Sequence, residues 1–297
     1  MSVSELTLKP FAGPTGAVCM LAIDHRDALR NAFQRAGAAS VTADEMIDFK
    51  CRILTALGAR PSGVLLDPAT LQRYRPRGGL LLPLEDQGHE SIEGGRINHL
   101  LANFGPDQAA TLAVQGCKLL LYYRADHAPT AERQRALAVL AAKASHAAGL
   151  AFTLEPLVYP LEGEDEETYR ACFADLVIAG ARELTETGAD ILKVQFPTGD
   201  DEADACGRLN EAVSPMAWAL LGGSEVDGDT FARQLDVACS AGASGFIAGR
   251  AIWAGALGLA GEEQSRWLRE HAAIEFERLT AIACQHQSAE STKEELG

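Results

Sequence analysis

Short apolar runs of strand length alternate with longer amphipathic segments from one end of the sequence to the other. The runs are residues 17–23, 63–66, 79–84, 117–123, 150–158, 190–196, 217–221 and 243–248. Between most of them lie helical patterns, such as 42–57, 130–148, 166–187 and 229–240, and Thr42 followed by Glu45 opens the first as a capping box. Strict β-α alternation predicts a parallel sheet, and eight repeats within 297 residues predict that it closes as a (β/α)8 TIM barrel. An open doubly wound sheet is the runner-up, but no G-x-G-x-x-G follows the first run, where a dinucleotide fold would place it. No linker divides the chain, so 1–297 reads as one domain. The second and third runs are close, predicting a short connection, and 88–105 is expected to be a loop over the barrel mouth. The polar tail from about residue 287 is expected to fray.

Charge excludes two classes of partner. With a net charge of −15, the chain lacks the basic face that nucleic acid or an anionic membrane requires. No run approaches the roughly 18 apolar residues of a spanning helix, and the N-terminus has no apolar core of signal-peptide length. The seven cysteines are scattered, without C-x-x-C or Cys/His spacing, and read as small hydrophobes in a reducing compartment. The expectation is a cytoplasmic protein.

Only six of the 26 basic residues are lysines, so a lysine inside an apolar run needs a reason. Lys193 lies in Ile191-Leu192-Lys193-Val194-Gln195-Phe196, where period-two alternation sets Leu192, Val194 and Phe196 on one face and Lys193 on the other. The apolar face should pack on helices, which turns Lys193 into the barrel. Lys118 sits likewise in its own run. A buried amine can be a Schiff-base nucleophile, or it can simply pair with a barrel carboxylate. Lys9, Lys50, Lys143 and Lys293 read as solvated charges. Glu155 points to the side of Thr153 and suits either proton transfer or anchoring a lysine, and Asp24 should also point inward. His25 beside Asp24 raises a metal site, but no second His has suitable spacing, and none is expected. After the seventh run Gly222-Gly223-Ser224 offers unobstructed backbone N–H groups. After the eighth, Gly249-Arg250 opens a short segment. Loops at these two positions form the recurrent phosphate site of such barrels, so both could hold an anion or could be glycine-rich turns.

Six segments together resemble the class I (Schiff-base) aldolase family that includes tagatose 1,6-bisphosphate aldolase and sulfofructose phosphate aldolase. They are Ala22-Ile23-Asp24-His25-Arg26-Asp27-Ala28-Leu29, Leu65-Leu66-Asp67-Pro68, Lys118-Leu119-Leu120-Leu121-Tyr122-Tyr123, Leu154-Glu155-Pro156, Asp190-Ile191-Leu192-Lys193-Val194 and Gly249-Arg250-Ala251-Ile252-Trp253. The segment 231–259 is closer to the sulfofructose phosphate branch. The resemblance implies metal-free, cofactor-free retro-aldol cleavage of a phosphorylated, or also sulfonated, ketose to dihydroxyacetone phosphate and an aldehyde. It implies Lys193 as the Schiff-base lysine, with Lys118, Glu155 and Asp24 as its polar neighbours, and Ser224, Gly249 and Arg250 at the substrate anion. Glu155 is the expected proton carrier, and Lys118 eases deprotonation of its neighbour's amine or orients it. The chain departs from the family in carrying His25 where relatives have Gln, Gln195 where they have Glu, and a longer 222–227 loop. These changes bear on the substrate. A sugar-phosphate substrate and a homo-oligomer are expected. The rival readings are a same-fold lyase acting on a keto-gluconate-type phosphate and a non-catalytic sugar-phosphate-binding regulator.

Overall fold

A computed structural model describes residues 8–223 and 226–294. In chain order the strands are β1 (Val18–Ala22), β2 (Gly63–Leu65), β3 (Gly79–Pro83), β4 (Glu90–Ile92), β5 (Gly95–Ile97), β6 (Gly116–Tyr122), β7 (Ala151–Leu157), β8 (Ile191–Val194), β9 (Ala217–Leu221) and β10 (Gly245–Ala248). Eight of them close a parallel barrel in the order β1-β10-β9-β8-β7-β6-β3-β2, and β4 and β5 form a separate antiparallel hairpin. The fold is the single (β/α)8 barrel that the alternation predicts.

Period two divides every strand between two environments. Cys19, Leu21, Phe152, Leu154, Leu192, Val194, Trp218 and Leu220 face outward into the layer shared with the helices. Val18, Met20, Leu65, Leu81, Ala151, Ile191, Ala219 and Ile247 fill the interior, where Phe11 from the N-terminal segment joins them. Further along the inward rows come Lys118, two positions beyond Gly116, Glu155, four beyond Ala151, and Lys193, two beyond Ile191, all buried. Lys193 stands one residue from the end of β8 and Glu155 two from the end of β7, whereas Lys118 is the third of seven residues in β6.

Caps set where the helices begin. Thr42 and Glu45 form the reciprocal capping box at Ala43–Leu57, and Asp165, Asp201 and Asp227 each accept a backbone N–H at the start of the helix that follows; each cap stabilises by about 1 kcal/mol. The connection after β2 is the short helix Pro68–Arg73, capped by Asp67.

Three expectations need correction. Lys50 is not a solvated charge: it is 3% exposed and ion-paired with buried Asp67. It lies in the buried stripe of its helix with Met46, Phe49, Ile53, Leu54 and Leu57, so helical periodicity did place it inward. The 88–105 segment is not a plain loop, because it contains the β4–β5 hairpin, turned by Glu93 and Gly94, both at positive φ. Gly94 is the residue that makes such a turn inexpensive. Cys19, Cys117, Cys206 and Cys239 are buried as expected, but Cys51 and Cys284 are half-buried and Cys172 is exposed. The last helix runs Ala273–Glu294. Among the described residues no helix is long and apolar enough to cross a membrane.

Candidate active site

The C-terminal mouth of the barrel holds a cavity of about 900 Å³. Asp24, His25, Lys118, Glu155, Lys193, Gln195, Gly249 and Arg250 all line it, so the structure brings together every described candidate. Ser224 lies outside the described residues. Gly222 and Gly223 line the cavity beside Gly249 and Arg250. At Gly249 an added Cβ would fall 2.3 Å from the Ala22 carbonyl and 3.0 Å from the His25 ring, so only glycine lets the end of β10 approach β1 this closely.

At the cavity floor five charged groups interlock. Lys118 Nζ lies 3.1 Å from Asp24 Oδ2, 2.8 Å from Glu85 Oε1 and 2.8 Å from Glu155 Oε2. Lys193 Nζ lies 3.1 Å from the same Glu155 Oε2. Strand order explains the chain of contacts: β6, β7 and β8 are neighbours, so their inward residues Lys118, Glu155 and Lys193 stand side by side. β3 delivers Glu85 from the other side of β6.

Glu85 was legible as a strand-end residue but not as part of this cluster. Its second oxygen accepts the Leu120 N–H at 3.1 Å, which fixes the carboxylate across β6. Only the barrel's closing order, with β3 pairing β6, makes that contact readable.

The electrostatics separate the two lysines. Burial disfavours charge on Lys118, but Asp24, Glu155 and Glu85 more than offset it and hold the amine well above its ordinary range. Burial likewise opposes ionisation of Asp24, yet Lys118, His25 and Lys193 hold its carboxyl well below the usual carboxylate range. Burial pushes the Glu85 carboxyl up, with Asp24 adding to the shift and Lys118 opposing it. Lys118 is thus a fixed ammonium in a carboxylate cage, whereas among the described residues Lys193 touches one carboxylate.

His25 is a neutral ring. Burial, with the charges of Arg250, Lys193 and Lys118, outweighs Asp24 and pushes its pKa down to about 3. The ring packs edge-on against Trp253, whose indole N–H donates to the Ala22 carbonyl at 3.1 Å. Gln195 Oε1 accepts the Val158 N–H at 2.6 Å, tying the end of β8 to the chain beyond β7. Arg124, although at the end of β6, turns from the cavity into a buried clamp on Asp126 and Glu164.

Residues 18–255 match the DeoC/LacD family aldolase model. The tagatose 1,6-diphosphate aldolase 1 of Enterococcus faecalis is 28% identical over 264 residues, covering 80% of each chain. The tagatose 1,6-diphosphate aldolase 2 of Streptococcus mutans is 26% identical over 286 residues, covering 86% of each. Among solved structures, a crystal structure of an archaeal fructose 1,6-bisphosphate aldolase shares the fold, with a TM-score of 0.67 at 16% identity over 95% of this chain and 99% of its own. So does an archaeal fructose-1,6-bisphosphate aldolase with its catalytic Lys covalently bound to the carbinolamine intermediate of the substrate, with a TM-score of 0.63 at 16% identity over 92% of this chain and 99% of its own. The chain belongs to the DeoC/LacD aldolase family. It is accordingly an aldehyde-lyase.

Proposed function

We propose that this aldolase cleaves a ketose 1-phosphate to dihydroxyacetone phosphate and an aldehyde through a Schiff base on Lys193. One observation carries the reading. Of the two buried lysines, on β6 and β8 either side of β7, Lys118 is locked as an ammonium by three carboxylates, and among the described residues Lys193 has a single carboxylate oxygen in reach, at 3.1 Å. Lys193 is the amine left to attack a carbonyl.

The chemistry follows from that geometry. The Lys193 amine adds to the ketose C2 carbonyl, and Glu155 supplies the proton with which the C2 hydroxyl leaves as water. The iminium withdraws the electron pair of the C3–C4 bond as the C4 hydroxyl gives its proton to Glu155, releasing the aldehyde and leaving an enamine. Protonation at C3 and hydrolysis then return the free amine and dihydroxyacetone phosphate. Lys118 keeps a positive charge beside Glu155 throughout, which steadies the carboxylate each time it loses its proton. Asp24 and neutral His25 line the cavity as hydrogen-bonding partners for substrate hydroxyls, and the Gly222, Gly223, Gly249 and Arg250 corner takes the 1-phosphate. Gln195 holds the β8 end in place without adding a further negative charge near the anion.

The test is release of dihydroxyacetone phosphate, read by a coupled reductase, from a panel of ketose 1-phosphates, 1,6-bisphosphates and 6-sulfonated 1-phosphates. Release from at least one member is expected, and release from none contradicts the proposal.

A further inference from the structure

Resting on the Schiff-base reading above, we infer that Glu85 is a positioning residue for the reaction: it fixes the Lys118 ammonium, and through it holds the Glu155 carboxylate against Lys193. Glu85 lies two residues beyond β3, and three observations converge on it.

The first is donor saturation. A lysine ammonium has three N–H donors. Lys118 meets three carboxylate oxygens, Asp24 Oδ2 at 3.1 Å, Glu85 Oε1 at 2.8 Å and Glu155 Oε2 at 2.8 Å. These directions set how the buried ammonium is turned, so the N–H that reaches Glu155 is aimed by the other two. Removing Glu85 leaves one N–H unheld and lets the ammonium rotate off Glu155.

The second is the way the edge between β3 and β6 ends. β3 stops at Pro83, opposite Lys118, and the Leu84 N–H still donates to the Lys118 carbonyl at 2.8 Å. A parallel strand that continued would offer the Leu84 carbonyl to the Leu120 N–H. That carbonyl instead accepts the Leu101 N–H at 2.9 Å. The Glu85 side chain takes its place, Oε2 accepting the Leu120 N–H at 3.1 Å. One carboxylate thus bridges the side chain of residue 118 and the backbone of residue 120, which fixes Oε1 at both ends. Both oxygens face donors of β6, so Glu85 acts on the reaction through Lys118 although it lines the cavity.

The third is the main chain of Glu85. Its carbonyl accepts the Arg26 guanidinium at 2.8 Å, and its backbone bridges to Leu100 beyond the hairpin. The end of β1 therefore supplies Asp24 to Lys118 and pins Glu85 as well, the kind of support that keeps a reacting group in place.

The effect is electrostatic too. Around Lys193 stand Glu155 on β7, Asp24 and His25 beyond β1, Lys118 on β6 and Arg250 after β10. The Glu85 charge partly offsets that of Lys118, so its removal favours the uncharged form of the Lys193 amine.

The test times imine formation with dihydroxyacetone phosphate by borohydride quench, across pH, in the wild type, Glu85→Gln and Glu85→Asp. Each titration yields a maximal rate and a half-saturating concentration, and the rate at low ligand rises with pH as the amine is freed. In Glu85→Gln the maximal rate is expected to fall about 10- to 100-fold, as for the loss of a hydrogen bond to a charged group. The half-saturating concentration stays within about 3-fold, and the pH rise moves to lower pH. Glu85→Asp keeps the charge but is one carbon too short to bridge both groups, so its rate falls while its pH rise stays with the wild type. A rate within about 3-fold of wild type in either variant, a loss confined to the half-saturating concentration, or an unmoved pH rise in Glu85→Gln overturns the inference. Failure of the underlying reading shows separately, as the absence of a Lys193 adduct in the wild type.

Discussion

Lys118 and Lys193 meet at one carboxylate oxygen: Oε2 of Glu155 lies 2.8 Å from the first amine and 3.1 Å from the second. Lys118 has Asp24 and Glu85 as well. Glu155 can therefore exchange protons with Lys193 or with bound substrate while its neighbour stays charged. On the proposed mechanism a fixed charge on β6 and a reacting amine on β8 are kept apart, with Glu155 of β7 between them.

Glu155→Gln keeps the shape of the side chain and removes the charge facing both amines. Loss of a positioned proton carrier costs about 10²- to 10⁴-fold in kcat. Breaking a buried ion pair destabilises by roughly 3–5 kcal/mol, and the low end applies because Asp24 and Glu85 still hold Lys118. Steady-state kinetics and urea unfolding read the two effects. A kcat within 10-fold of wild type contradicts the role.

His25 gives a pH signature. Its side chain is 17% exposed, and its pKa falls from 6.5 to about 3 on folding. Between those values the unfolded chain binds a proton that the native ring refuses, so stability rises with pH across the window. The contribution is complete above pH 6.5 and is lost as pH falls towards about 3. His25→Gln should therefore flatten the acid limb of the urea midpoint against pH by a few kcal/mol. It should leave the kcat profile unchanged between about pH 6.5 and 8, where the native ring is neutral. An unchanged acid limb in the variant would show that the ring protonates freely in the folded protein.

Lys50 and Asp67 form a second buried pair, remote from the cavity floor cluster and joining helix Ala43–Leu57 to the cap of Pro68–Arg73. Lys50→Met leaves a buried carboxylate with only Thr70, which donates its N–H at 3.0 Å and its hydroxyl at 2.7 Å. The expected loss is about 3–5 kcal/mol. Adding Asp67→Asn, which keeps the cap and removes the charge, should recover more than half of it. Equal destabilisation in the single and double variants in urea melts would contradict the pairing.

Most of the barrel was written in local pattern. Alternation along β6, β7 and β8 assigned Lys118, Glu155 and Lys193 to the interior, because a strand residue's face depends only on its neighbours in sequence. Glu85 was not assigned to the cluster, since its contact with Lys118 needs β3 and β6 to pair across the β4–β5 hairpin. That hairpin escaped notice because three-residue strands hold too few residues to show a period, although Gly94-Gly95 between Ile92 and Ile97 marked a turn. Lys50 was misjudged by its charge in spite of a helical stripe that predicted burial. Its partner, Asp67, lies on another element and had to be seen in three dimensions.

Borohydride trapping decides whether Lys193 forms the imine. Incubation with dihydroxyacetone phosphate and borohydride, digestion and peptide mass spectrometry should place the reduced adduct on the peptide carrying Lys193. Lys193→Arg, which keeps the charge but cannot form an imine, should give no adduct and lose at least about 10³-fold in turnover. An adduct on Lys118, or none on the wild type, would contradict the account.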